Sequence, residues 1–396
     1  MISCPILKSG EDDMVDCFVP KETEAGETRA AATPETVTRL SQLGLKFTVQ
    51  RGLGAAAGFA DEAYAKAGAT LVDDAAAGYA AAALVLKLHP PTPGEIGLLR
   101  EGSSLISFLN TAQDPDRLKA LNARRISAFG MERIPRITRA QKMDALSSQA
   151  NIGGYKAVIL AADHLSKLFP MLMTAAGTIH PARVVILGAG VAGLQAIATA
   201  KRLGAVVEVS DVRPAVKEQV ESLGGKYIEV PTDESAEDAG GYAKEQSEEF
   251  LKKQRALVRE RIVEADVVIS TAAIPGKKAP LLIPADMVAD MKPGSVIVDL
   301  AVETGGNCEL SEPGEIVVKH GVKIIGLRNI PGLVPYHATE MYARNIYNLL
   351  SDLMKEGELV WDPEDEVVQG ALLCKDGEIL DPALRPAENQ AASQTT

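Results

Sequence analysis

The sequence predicts an α/β protein with parallel sheets in two domains. Three observations lead there. The chain has 396 residues, more than one compact core usually takes, so two domains are the default. Strand-like and helix-like segments alternate from Phe47 to about Arg133, the pattern of a parallel sheet with covering helices. A second alternating series starts at Arg183 and holds six strand-like runs, in the order of elements that a doubly wound sheet requires.

In the first series KFTVQ, ALVLKL, SLISFL and RRISAFGM read as strands, and DEAYAKAGA and DPDRLKALNARR as helices. An apolar helix is predicted near Lys156 to Phe169. In the second series the strands are RVVILG, AVVEVSD, KYIEV, ADVVIST, SVIVDL and VKIIGL. Helices are expected at Val191–Leu203, Pro214–Leu223 and roughly Ala243–Ala265. PYHATEMYARNIYNLLSDLMKEG is amphipathic and predicts a long helix leading back to the first domain. The final PAENQAASQTT is polar and without periodicity, as expected of a frayed tail.

Composition narrows the partners. Hydrophobic residues make up 46% and charged residues 24%, as in a globular protein, and the net charge of −12 argues against nucleic acid. Cys4, Cys17, Cys308 and Cys374 form no C-x-x-C pair, so no zinc site is expected. The start has no basic-then-apolar signal pattern. The most apolar run, Ala75 to Leu86, is far shorter than the ~20 residues of a spanning helix.

Gly188, Gly190 and Gly193 fit G-x-G-x-x-G directly after a strand and at the opening of a helix, the context that makes this motif specific for a dinucleotide. The first glycine suits the tight turn, the second a close backbone approach to pyrophosphate, the third helix–strand packing. Asp211 ends the next strand, where a carboxylate accepts the ribose hydroxyls and opposes a 2′-phosphate. That favours NAD over NADP, and Arg213, two residues on, works against the preference.

These stretches, with TAAIPGKKAP, VIVDLAVETGGNCELSEPGEI and PRITRAQKMDALSSQANIGGYKAVI, resemble the NAD(H)-binding component of proton-translocating NAD(P)+ transhydrogenases. VPKETEAGETRAAATPETV is shared with the wider family that includes alanine dehydrogenase. The resemblance covers nearly the whole chain. It implies two Rossmann-like, doubly wound parallel-sheet domains: residues 1–134 with 328–396, and the NAD(H)-binding residues 135–327. It implies a homodimer, a membrane-embedded partner subunit and a subunit that holds NADP(H). The subunit is then cytoplasmic and peripheral to the inner membrane. Arg136, Gln141 and Asp144 are implied as the catalytic positions, lying with Ser147 along the nicotinamide end. Val191, Ala192, Val212, Arg213, Gly241, Tyr242, Gln254 and Ala273 complete the implied nucleotide contacts, and Tyr242 matches a loop that folds over the bound cofactor.

A dehydrogenase acting on an amino or hydroxy acid also needs a general base. Arg29 and Lys87 match the two substrate-carboxylate residues of the alanine dehydrogenase relatives. The proton-handling histidine and aspartate of those relatives are replaced by Asn110 and Glu303. Of the histidines only His89 is near enough to Lys87 in sequence to be considered, and it reads as a strand-end surface residue. Hydride transfer between two nicotinamides needs no such base. The expected reaction is therefore hydride exchange between NADH here and NADP+ on another polypeptide. An alanine-dehydrogenase-like enzyme and a non-catalytic NAD(H)-responsive subunit are the alternatives.

Overall fold

The computed structural model describes residues 14–111, 113–229, 248–273 and 278–381. The chain forms two compact units, residues 1–149 with 331–396, and residues 150–330. The first boundary falls inside the helix Ala145–His164.

Unit 1 is built on six parallel strands, β1 (Val15–Val19), β2 (Leu45–Gln50), β3 (Thr70–Val72), β4 (Leu84–Leu86), β5 (Ser104–Ser107) and β6 (Ser127–Gly130), in the order β3-β2-β1-β4-β5-β6. Two short antiparallel strands from the end of the chain, Leu372–Lys375 and Glu378–Ile379, extend the sheet beyond β6. All residues of β4, β5 and β6 are buried, as expected where helices cover both faces of a parallel sheet. Two strands were not expected from the alternation pattern. β1 is the centre of the sheet, paired to β2 at Cys17↔Phe47 and to β4 at Cys17↔Leu84. β3 is an edge strand of three residues. The helix Pro34–Ser41 starts from a capping box, Thr33 with Thr36, and Pro34 sits in its first turn, a combination contributing about 1 kcal/mol.

Unit 2 carries a small hairpin, β7 (Leu172–Thr174) with β8 (Gly177–Ile179), and a second large sheet. That sheet consists of β9 (Arg183–Leu187), β10 (Val206–Ser210), β11 (Lys226–Tyr227), β12 (Val267–Ser270), β13 (Val296–Asp299), β14 (Ile316–Lys319) and β15 (Val322–Ile325). Its order is β11-β10-β9-β12-β13-β15-β14, with only β14 antiparallel. The six parallel strands are those expected from sequence, and their order is the doubly wound 3-2-1-4-5-6 arrangement. β14 is a correction: no strand was expected there, and its alternating exposed pattern is that of an edge strand with one face in water.

The helix expected near Lys156 to Phe169 instead runs from Ala145 to His164. Its early half contains Ser147, Ser148, Gly153 and Gly154, which lower intrinsic propensity. Packing overrides this. A Cβ on Gly154 would stand 2.1 Å from the Ala192 carbonyl oxygen, so glycine is what lets this helix approach the helix Val191–Arg202. Pro214–Leu223 is also divided, into a 3-10 turn Pro214–Val216 and a helix Lys217–Ser222. The segment after Val334 forms the helix Pro335–Leu353 in unit 1. Cys17, Cys308 and Cys374 are buried free thiols.

Candidate functional site

The glycine turn of unit 2 lies between β9 and the helix Val191–Arg202. Gly188 has φ +97°, a left-handed conformation that side chains rarely adopt, and its Cβ would meet Thr271 Oγ1 at 2.7 Å. Gly190 has φ −76° and nothing within 4 Å of its Cβ position, so the turn is open in front of it. Gly193 lies so close to the turn that a Cβ would stand 1.9 Å from the Gly188 carbonyl oxygen. Thr271, which sequence reasoning did not single out, donates from Oγ1 to the carbonyl oxygens of Gly188 at 3.0 Å and Leu187 at 3.2 Å. It ties the turn to the end of β12. The free N–H groups at the start of the helix then face the open side of the turn, an arrangement suited to an anion.

Asp211 follows β10 beside this turn. Its Oδ2 accepts the Ala189 N–H at 2.7 Å, and its Oδ1 accepts the Arg213 N–H at 2.8 Å. The Arg213 guanidinium closes on the same carboxylate, Nε to Oδ1 and Nη2 to Oδ2, both at 3.0 Å. Burial works against the charge, but the hydrogen bonds from Arg213 and Ala189 outweigh it and hold this carboxyl below its ordinary range. Tyr227 donates its hydroxyl to the Asp211 carbonyl oxygen at 2.6 Å and fixes the backbone. Val212 is 80% exposed, an apolar side chain presented to solvent at the edge of the turn.

Val191 and Ala273 are exposed, and Ala192 is half-buried. Gln254 lies on the helix Glu248–Glu264. Gly241 and Tyr242 lie outside the described residues.

Residues 136–147 belong to unit 1. Arg136 and Gln141 are exposed, the latter on the 3-10 helix Thr138–Met143. Asp144 precedes the helix Ala145–His164 and caps it, accepting from Ser147 N at 2.9 Å and Ser147 Oγ at 2.6 Å. The pair is thus bonded to itself, and a helix cap is part of its work. Lys142 and Arg139 anchor the segment to Asp352 and Asp365.

Elsewhere in unit 1, Arg29 and Lys87 are buried together with three carboxylates. Arg29 donates Nε and Nη2 to the two oxygens of Glu27, at 2.8 and 2.7 Å, and Nη1 to Gln149 Oε1 at 2.8 Å. Lys87 Nζ lies 3.1 Å from Glu22 and 3.0 Å from Glu95, with 1% of its side chain exposed. Glu95 closes the capping box of the helix Pro93–Leu98 through one oxygen and holds Lys87 and the Tyr79 hydroxyl through the other. His89 is not a bare surface residue as expected. It is half-buried, with Nε2 2.5 Å from Glu27 Oε2. Burial alone would raise Glu27, but Arg29 and His89 hold it far below the usual carboxylate range. Arg29 and Lys87 thus face Glu22, Glu27 and Glu95, which reading one short segment at a time could not bring together.

The alanine dehydrogenase/PNT N-terminal domain family matches residues 18–153, and the C-terminal domain family matches residues 157–382. The chain belongs to the alanine dehydrogenase/PNT family. It is 52% identical over 375 residues to the first of the separate polypeptides that make up NAD(P) transhydrogenase subunit alpha of Rhodospirillum rubrum, covering 92% of this chain and 98% of the relative. A solved transhydrogenase from Sinorhizobium meliloti superimposes with TM-score 0.84 at 43% identity, covering 92% of this chain and 99% of the other. An L-alanine dehydrogenase structure does so with TM-score 0.79 at 26% identity, covering 96% of this chain and 100% of the other.

In this member of the alanine dehydrogenase/PNT family, the positions that matched acid–base residues hold different chemistry. Asn110 has φ 49° and donates its N–H to Glu132 Oε1 at 2.7 Å. An amide side chain does not take up a proton at neutral pH. Glu303 Oε1 accepts the Asn329 N–H at 3.1 Å. No His/Cys/Asp/Glu cluster fit for a metal ion occurs among the described residues.

Proposed function

We propose that unit 2 binds NAD(H) and that the chain is the NAD(H)-binding subunit of a proton-translocating transhydrogenase. In this reading it passes hydride between NADH and NADP+ held by a partner subunit, coupled to proton movement in a membrane-embedded one. The observation that carries the reading is the glycine turn with Asp211 in a chain whose Asn110 offers an amide where the resemblance to alanine dehydrogenase calls for a proton-handling histidine. The cofactor, when bound, supplies the hydride. The chain's own residues hold and orient it: Gly188, Gly190 and Gly193 shape the phosphate turn, Asp211 takes the ribose, and Arg136, Gln141, Asp144 and Ser147 align the nicotinamide. No O–H or N–H bond changes in such a transfer, so approach and alignment are what the protein must supply. No helix among the described residues is long and apolar enough to cross a membrane, which fits a subunit docked on a separate membrane component.

The homodimer is proposed from the β7–β8 hairpin. All six of its residues are exposed, and Met171, Leu172, Met173 and Ile179 present 57%, 42%, 73% and 44% of their surfaces. A lone two-stranded hairpin is marginal in water, and a contiguous apolar patch of this kind marks an interaction surface.

Calorimetry on the isolated chain tests the nucleotide reading. NADH should bind more tightly than NADPH, because Asp211 opposes a 2′-phosphate. Equal affinities would remove the argument from Asp211. A steady-state assay tests the alternative: no NAD+ reduction with alanine, and no NADH oxidation with pyruvate and ammonia, is expected. Robust turnover in either direction would make this an alanine-dehydrogenase-like enzyme.

A further inference from the structure

Four donors of the chain itself converge on the Asp211 carboxylate. Two are backbone N–H groups, those of Ala189 and Arg213, at 2.7 and 2.8 Å. Two belong to the Arg213 guanidinium, Nε and Nη2, at 3.0 Å each. A carboxylate offers about four acceptor positions, so this one is filled from within. A ribose diol that bonds to Asp211 brings two more O–H donors. It must replace two of the four. The backbone donors are fixed: Ala189 is buried in the glycine turn, and the Tyr227 hydroxyl pins the Asp211 backbone. The guanidinium is the movable pair. Its side chain is 57% exposed, whereas that of Asp211 is 5% exposed.

We propose that Arg213 is an internal competitor for the ribose site, a specificity and affinity residue that must swing off Asp211 for the diol to bond there. This rests on the reading of unit 2 as an NAD(H) site and extends it. Bidentate guanidinium–carboxylate bonding is directional, so the competitor is effective while it lies in place. Its exposure keeps the net worth of the pair small, so it lowers affinity for the nucleotide without blocking it. Weakened binding suits a subunit that must release one oxidation state to accept the other. Arg213 also bears on the 2′-position. Once displaced, it is a cation beside the ribose, where it would favour a 2′-phosphate and oppose the discrimination set by Asp211.

The test uses the full chain with Arg213→Met and Arg213→Lys, and calorimetric titration with NADH and NADPH. Arg213→Met removes both side-chain donors and leaves both backbone donors. NADH should bind about two- to fivefold more tightly, and the preference for NADH over NADPH should widen. Arg213→Lys cannot form the two-pronged contact and should fall between wild type and Arg213→Met. The exposed side chain predicts an unchanged thermal midpoint, which serves as the folding control. Unchanged or weaker NADH binding by a folded Arg213→Met would overturn the proposal, since Arg213 would then be a ligand contact or a bystander. A wild-type chain that binds no NADH would overturn the nucleotide reading and this inference with it.

Discussion

Lys87→Ala is expected to destabilise unit 1 by about 3–5 kcal/mol, because it leaves two carboxylates buried without their cation. Glu22 and Glu95 both bond to Lys87 Nζ, and the side chain of Glu22 is 2% exposed. That loss is a large share of the roughly 5–15 kcal/mol of a typical domain. The only tryptophan, Trp361, stacks on Phe129 with ring centroids 5.6 Å apart, both in unit 1. Its fluorescence during urea unfolding therefore reports the unit that carries the mutation. A triple variant, Lys87→Met with Glu22→Gln and Glu95→Gln, removes the charges together and should recover much of the loss. If Lys87→Ala shifts stability by less than about 1 kcal/mol, within the range of an exposed pair, the cluster does not hold unit 1 together.

The second large effect is a separation between two glycines three residues apart. Gly193→Ala places a methyl 1.9 Å from the Gly188 carbonyl oxygen, a backbone atom. The helix Val191–Arg202 must move off the turn, and overpacking of this kind costs about 1–3 kcal/mol or more. Both the thermal midpoint and NADH binding should fall. Gly190→Ala meets nothing within 4 Å and keeps an ordinary φ of −76°. Its midpoint should stay at the wild-type value. NADH affinity should still drop at least about tenfold, or 1.4 kcal/mol, because the methyl occupies the space into which the pyrophosphate must come. A Gly190→Ala chain with normal NADH binding would place the phosphates elsewhere.

The second sheet could be read in the sequence because its strands are apolar runs bounded by turns, and the glycine spacing marks the first crossover. β1 and β3 could not. VDCFV stands alone ahead of any alternation, and TLV is three residues long. The start of the helix Ala145–His164 was hidden by serines and glycines whose value lies in capping and in the close approach to Ala192. At the site, Asp211 announced itself by position, but its bond to Arg213 is a matter of side-chain direction that spacing does not encode. The carboxylates around Lys87 were legible only in part. Thr92 and Glu95 have capping-box spacing, yet that Glu95 also meets Lys87 follows from the fold of the strand before it.

The discontinuity of unit 1 sets a timetable. Its first 149 residues are followed by about 180 residues of unit 2 before the chain returns at Pro331. A ribosome adding about 5–20 residues per second needs on the order of 10–40 s to cross that gap. Through that interval the Lys87 carbonyl lacks the Tyr342 hydroxyl, Gln149 lacks the Ala338 carbonyl, and β6 lacks the strand Leu372–Lys375. The unit that leaves the ribosome first is therefore the one that closes last, and its bare sheet edge is what a newborn chain must shelter until then.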